Sequence, residues 1–66
     1  MGKEHPETAA TYNNIAGVYY SQGAYQKTLE WYEKALAIRE KVLGKEHPDT
    51  VETRCNIADI RKAMDS

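Results

Sequence analysis

This 66-residue chain contains an internal repeat with a period of 42 residues. The five-residue segment that begins at Gly2 returns without change at Gly44. Identical pairs continue beyond it: Thr8 and Thr50, Thr11 and Thr53, Asn14 and Asn56, Ile15 and Ile57, and Ala16 and Ala58. Segments 2–24 and 44–66 therefore share ten identities. Such self-similarity indicates one complete supersecondary unit followed by the start of a second.

Apolar residues recur at helical spacing, which predicts an all-α fold of three helices near 7–22, 25–43 and 49–64. Pro6 and Pro48 suit the first turn of a helix, because proline lacks the N–H that would have no partner there. Gly23 and Gly44 suit helix ends, since glycine readily takes the left-handed conformation. Short links make the first two helices antiparallel, with the third stacked on the second. One domain, 1–66, contains this helical hairpin and third helix.

The predicted core follows the apolar stripes of the helices. It consists of Tyr12, Ile15, Ala16, Tyr19, Leu29, Tyr32, Leu36 and Ile57. A core of this size rarely contributes more than about 3–5 kcal/mol, so chains of this length usually depend on a cross-link or a partner. The single cysteine, Cys55, allows no internal disulfide, which favours a reducing, cytoplasmic setting.

Charge and hydropathy exclude several classes of function. Nine basic and ten acidic residues give a net charge of −1 and are mixed along the chain, so there is no basic patch for nucleic acid. No apolar run approaches the length of about 18 residues that a membrane span requires. The first residues lack the charged and apolar regions of a signal peptide.

The pattern of Tyr12, Ile15-Ala16, Tyr19, Gly23, Tyr25, Leu29, Tyr32 and Ala35-Leu36 resembles the tetratricopeptide repeat. The period exceeds the usual length of about 34 residues for that repeat. The longer period and the loop from Leu43 to Pro48 are similar to the variant in kinesin light chains. The resemblance implies an α-solenoid fragment of about one and a half repeats. An ordinary three-helix bundle would not explain why the third helix copies the first.

The third helix departs from the repeat pattern at positions that are aromatic in the first. Arg54 stands in the place of Tyr12, and Arg61 in the place of Tyr19. A terminal solenoid helix needs a polar outer face. The third helix is therefore interpreted as a C-terminal cap or as a repeat that has lost its packing residues.

The resemblance also implies a groove, because in this family the first helix of each pair lines a concave surface for an extended peptide. Transferred by position, the groove candidates are Asn13, Gly17, Tyr20, Glu52, Cys55, Asp59 and Lys62, with Ala10 and Ser21 beside them. Asn13 resembles a family asparagine that hydrogen-bonds the ligand backbone, since an amide both donates and accepts. Glu52 and Asp59 have the wrong sign for binding a terminal carboxylate. Alternatively, Asn13 and Asn14 satisfy only neighbouring backbone or solvent.

We expect no enzymatic activity, cofactor or metal. His5 and His47 are equivalent positions one repeat apart, so a solenoid separates them, and neither has the local spacing of a zinc site with Cys55. No residue pattern places a base beside Cys55 as in a thiol nucleophile. The expected function is a scaffold that binds protein or peptide. The alternative is a purely structural cap or self-associating fragment.

A homodimer is the expected assembly. About three or more repeats are normally needed to bury a continuous core, and this chain has fewer. With no preceding repeat, one side of the first helix lacks a neighbour, which predicts an exposed patch that includes Val18, Tyr12 and Tyr19. Two chains can cover such patches by stacking, or by exchanging the equivalent first and third helices.

Overall fold

The computed structural model describes residues 5–65, and three α-helices make up 85% of this part of the chain. Helix α1 spans Pro6–Ser21, α2 spans Tyr25–Val42 and α3 spans Pro48–Asp65. Each bound lies within one residue of the predicted one. The all-α helical hairpin with a third helix is thus the observed fold. Residues 1–4 and 66 of the predicted unit lie outside the described part.

The helix starts are capped in the same way in both copies of the repeat. In α1, the His5 Nδ1 accepts a hydrogen bond from the Glu7 N–H at 3.2 Å. In α3, the His47 Nδ1 accepts from the Asp49 N–H at 3.1 Å. Each imidazole therefore satisfies one of the amide groups that a helix start leaves without a partner. The repeated His-Pro pair is explained by capping.

Glycines end the first two helices, as the sequence predicts. Gly23 has a φ of 77° and Gly44 a φ of 95°, both in the left-handed region. At the first link, the Gly23 N–H bonds the Tyr20 carbonyl at 3.0 Å and the Ala24 N–H bonds the Tyr19 carbonyl at 2.9 Å. These two hydrogen bonds close a tight turn, so α2 runs antiparallel to α1.

The helices form a single thin layer in which α2 lies between α1 and α3. The Cα atoms extend over 37 × 22 × 13 Å. Helix α2 packs closely against both neighbours, whereas α1 and α3 scarcely touch. Two of the predicted core residues, Ala16 and Ile57, are buried, together with Ala9, Ala35, Ile38 and Ile60.

The other predicted core residues are only partly buried. They are Tyr12, Ile15, Tyr19, Leu29, Tyr32 and Leu36. In a layer one helix thick, only the positions directly between two helices are fully covered, and the larger side chains beside them stay partly exposed. Threonines occupy some of the covered positions: Thr28, Thr50 and Thr53 are fully buried. The Thr28 hydroxyl donates to the Ala24 carbonyl at 3.0 Å, so the polar atom of this fully buried side chain has a partner.

Candidate functional site

A groove runs between α1 and α3, which stand apart on either side of α2. It contains a pocket of about 200 Å³ lined by Tyr20, Tyr32, Asn56, Asp59, Ile60 and Ala63. Tyr20 comes from α1, Tyr32 from α2, and the other four residues from α3. All three helices therefore contribute to one concave surface with two aromatic rings, an amide and a carboxylate.

The structure brings two of the predicted groove residues, Tyr20 and Asp59, into this pocket. A third, Glu52, lies near its wall, where its charge affects Tyr32. Cys55 and Lys62 are exposed on α3 but do not line the pocket. On α1, Ala10 and Ser21 are likewise exposed and outside it.

Asn13 and Gly17 occupy half-buried positions on α1, also outside the pocket lining. The Oδ1 of Asn13 is buried and, within residues 5–65, has no hydrogen-bond partner. The binding role of Asn13 and its alternative therefore both stay predictions. Around Gly17, an added Cβ would meet no atom within 4 Å. The backbone there is therefore open, and the structure places no close neighbour that requires glycine.

Four pocket residues were not among the predicted groove residues: Tyr32, Asn56, Ile60 and Ala63. A signal for Asn56 was present, because it is the repeat partner of Asn14 and the two are identical. Asn14 itself is exposed on α1. Tyr32 was assigned to the core from its place in the apolar stripe of α2. It is only partly buried and lines the pocket in the groove.

The electrostatics of the pocket are visible at Tyr32. Burial raises the pKa of the Tyr32 hydroxyl above its usual value near 10, and the neighbouring Tyr20 and the charge of Glu52 add to the effect. Tyr20 is in turn held by a stacked contact with Tyr25, with ring centroids 5.7 Å apart and planes 27° apart. The pocket wall is thus an ordered aromatic surface beside acidic side chains.

A second depression, of about 400 Å³, lies on the other side of α3 and is lined by Glu33, Leu36, Arg54, Ile57, Ala58 and Arg61. The Arg61 Nη2 pairs with the Glu33 Oε2 at 3.0 Å, and the Arg54 Nη2 donates to the Lys45 carbonyl at 3.2 Å. Ala58 is exposed here, although its repeat partner Ala16 is fully buried. This side of α3 therefore lacks the covering helix that α1 has in α2.

Two further properties concern only the described residues. Across positions 5–65, no three His, Cys, Asp or Glu side chains come together in a way that would hold a metal ion. In the same range, no helix combines the length and apolar character needed to cross a bilayer.

Comparison with known proteins agrees with this architecture. No curated protein matches the chain. The sequence profile of the tetratricopeptide repeat, in its 42-residue kinesin-light-chain-like variant, matches residues 8–49. That segment covers well over half of the chain and equals one period of the internal repeat. It contains most of α1, all of α2 and the start of α3. The chain belongs to the tetratricopeptide repeat family.

Proposed function

We propose that this chain is a non-enzymatic protein-interaction module that binds an extended peptide or protein segment in the groove between α1 and α3. The observation that carries the proposal is the pocket in which Tyr20, Tyr32, Asn56 and Asp59 converge. Families of this fold are typically interaction modules rather than enzymes. We propose residues 1–66 as one unit acting in the cytoplasm, with no nucleic-acid or membrane ligand and no cofactor.

The chemistry of the pocket suits a polypeptide. The Asn56 amide both donates and accepts hydrogen bonds, so it can pair with a peptide group in an extended ligand. Tyr20 is about half exposed, at 51%, and is ordered by its stack on Tyr25. An ordered ring loses little conformational entropy on binding, which is why tyrosine is common in binding surfaces.

A random decapeptide library provides the test. Selected peptides should bind the chain, and Tyr20→Ala should weaken them about fivefold or more, the loss expected when a ring contact is removed. Val42→Ala is the control, since Val42 is an exposed apolar residue, at 42%, that lies outside the pocket. Failure to select any binder, or binding that Tyr20→Ala and Asn56→Ala leave unchanged, would contradict a groove function.

A second candidate function, self-association as a structural piece, is favoured by a comparison of α1 with α3. Val18 is 56% exposed, whereas its repeat partner Ile60 is 4% exposed under α2. Similarly, Thr11 is exposed and its repeat partner Thr53 is fully buried. The outer side of α1 therefore has the residues of a packed helix face without a covering helix. We propose that a homodimer covers it.

Sedimentation equilibrium distinguishes this second candidate. A homodimer should dissociate on dilution, and Val18→Glu should abolish it because a charge would be placed in the apolar contact. The thermal midpoint should then depend on protein concentration for the natural sequence but not for the variant. A monomer mass that persists to millimolar concentration would contradict self-association and leave the groove proposal unaffected.

A further inference from the structure

We propose that the pocket between Tyr20 and Tyr32 receives the side chain of an arginine from the bound peptide, with Asp59 as its counter-charge. The inference rests on the proposed groove function and specifies the chemistry of its ligand. It concerns one side chain of the peptide, and the rest of the ligand backbone lies along the groove.

The charges around the pocket favour a positively charged ligand side chain. None of the six residues that line it is basic, and one, Asp59, is a carboxylate. Glu52 adds a second negative charge near enough to affect the Tyr32 hydroxyl. Lys62 lies one turn beyond Asp59 on α3, outside the lining. A cationic group entering the pocket therefore meets a carboxylate and no like charge among the lining residues.

The aromatic rings select a planar cation. The face of a tyrosine ring attracts a cation within about 6 Å of its centre. The chain already uses this contact twice elsewhere: the Lys27 Nζ lies 5.6 Å from the centre of the Tyr19 ring, and the Lys34 Nζ lies 5.7 Å from that of Trp31. A guanidinium both stacks on an aromatic face and donates two parallel hydrogen bonds to a carboxylate, which an ammonium does not.

The volume of the pocket and its apolar lining residues fit the methylene stem of the arginine side chain. The cavity of about 200 Å³ is bounded on α3 by Ile60 and Ala63, which are apolar. The methylene stem of arginine packs on apolar surface while its charged head stays near polar groups. Asn56, one turn before Ile60, is placed to pair with the peptide group of the bound residue.

The test compares acetyl-Gly-Gly-Arg-Gly-Gly-amide with the same peptide containing citrulline. Citrulline has a carbonyl oxygen in place of one terminal nitrogen of the guanidinium, so it is neutral and nearly the same shape. Both peptides are titrated into the ¹⁵N-labelled chain at low salt. The arginine peptide should shift the amides of Tyr20, Asn56 and Asp59 and bind about five- to tenfold more tightly than the citrulline peptide, as expected for a charge-assisted contact at a partly exposed site.

A matched pair of variants assigns the effect to the pocket. Asp59→Asn should remove most of the difference between the two peptides, since it deletes the charge and keeps the size. Asp65→Asn, also on α3 but outside the pocket, should leave the difference intact. Raising the salt concentration should weaken the arginine peptide more than the citrulline peptide.

The outcomes separate this inference from the proposed function. Equal affinity of the two peptides, with shifts at Tyr20 and Asn56, would overturn the arginine proposal while supporting peptide binding in the groove. An arginine preference that Asp59→Asn leaves unchanged would overturn it also, since the charge would then lie elsewhere. Absence of binding by both pentapeptides, together with binders from the decapeptide library that lack a cation, would again overturn it alone. Absence of binders in both experiments would overturn both proposals.

Discussion

The Arg39 Nη1 donates a hydrogen bond of 2.8 Å to the Thr53 Oγ1, and this bond joins α2 to α3. The same nitrogen lies 3.3 Å from the Asp49 carbonyl oxygen, and the Arg39 carbonyl accepts from the Thr50 hydroxyl at 3.3 Å. Thr50 and Thr53 are fully buried. A polar seam therefore fixes α3 against α2, and since α3 scarcely touches α1, it also sets the width of the groove.

Removing the hydroxyl of Thr53 should loosen this seam. Thr53→Val leaves the Arg39 donor with one weak acceptor, which should cost about 1–3 kcal/mol of unfolding free energy. Thr11→Val is a matched control. The Thr53 hydroxyl also donates to the Asp49 carbonyl at 3.0 Å, and the exposed Thr11 hydroxyl makes the equivalent bond to the Glu7 carbonyl at 3.1 Å. The control should change stability by less than about 0.5 kcal/mol. Urea unfolding followed by circular dichroism measures both, and equal effects would contradict the seam.

Replacing two of the glycines by alanine should change the stability of the chain in opposite directions. Gly23→Ala should destabilise the chain by about 1–2 kcal/mol, because alanine is strained at its φ of 77°. Gly17→Ala should stabilise it by about 0.5–1 kcal/mol, since Gly17 is inside α1 and an added Cβ meets nothing within 4 Å. Thermal unfolding at one fixed protein concentration compares them. Unchanged or raised stability of Gly23→Ala would contradict the assigned turn, and a loss of stability in Gly17→Ala would contradict the open space beside Gly17.

Substitutions in the interface between α1 and α2 should reduce the stability of the chain more than substitutions elsewhere. Ile38 is 7% exposed and packs with Ala9 and Ala35, so Ile38→Ala should cost about 2–5 kcal/mol. Val42→Ala, one turn later on the same helix and 42% exposed, should cost far less. Urea midpoints provide the comparison. A fully cooperative transition of Ile38→Ala at the midpoint of the natural sequence would show that this interface is not the core.

Tyr32 should make stability fall at alkaline pH. Its folded-state pKa is raised above the unfolded value near 10, so the folded state holds the proton more strongly. The stabilisation is complete below about pH 10 and is lost as the pH rises through the folded-state pKa. Absorbance at 295 nm should contain a late tyrosine step that Tyr32→Phe removes. A titration that Tyr32→Phe leaves unchanged at its alkaline end would contradict the burial of this hydroxyl.

Much of the fold could be predicted because the signals that set it are local. The prolines, the glycines at 23 and 44 and the apolar period fixed the three helices to within one residue. The 42-residue repeat then indicated the family, which the match over residues 8–49 confirms.

The parts that could not be predicted depend on packing between helices. Nothing in the pattern around Thr53 indicates that Arg39, fourteen residues earlier, donates to it. An apolar stripe likewise does not distinguish a fully buried ring from a partly exposed one, so Tyr32 was assigned to the core although it lines the pocket in the groove. The groove candidates Tyr20 and Asp59 followed from position in the repeat, whereas Ala63 was missed although its repeat partner, Ser21, stood beside the groove candidates of the first helix.

The most direct test of the account is the location of a bound peptide. A peptide selected from the decapeptide library is added to the chain labelled with ¹³C at its methyl groups, and intermolecular nuclear Overhauser effects are recorded. The groove account predicts contacts from the peptide to the methyl groups of Ile60 and Ala63, which line the pocket. Contacts confined to Val18, on the outer side of α1, or to Ala58, on the far side of α3, would contradict it.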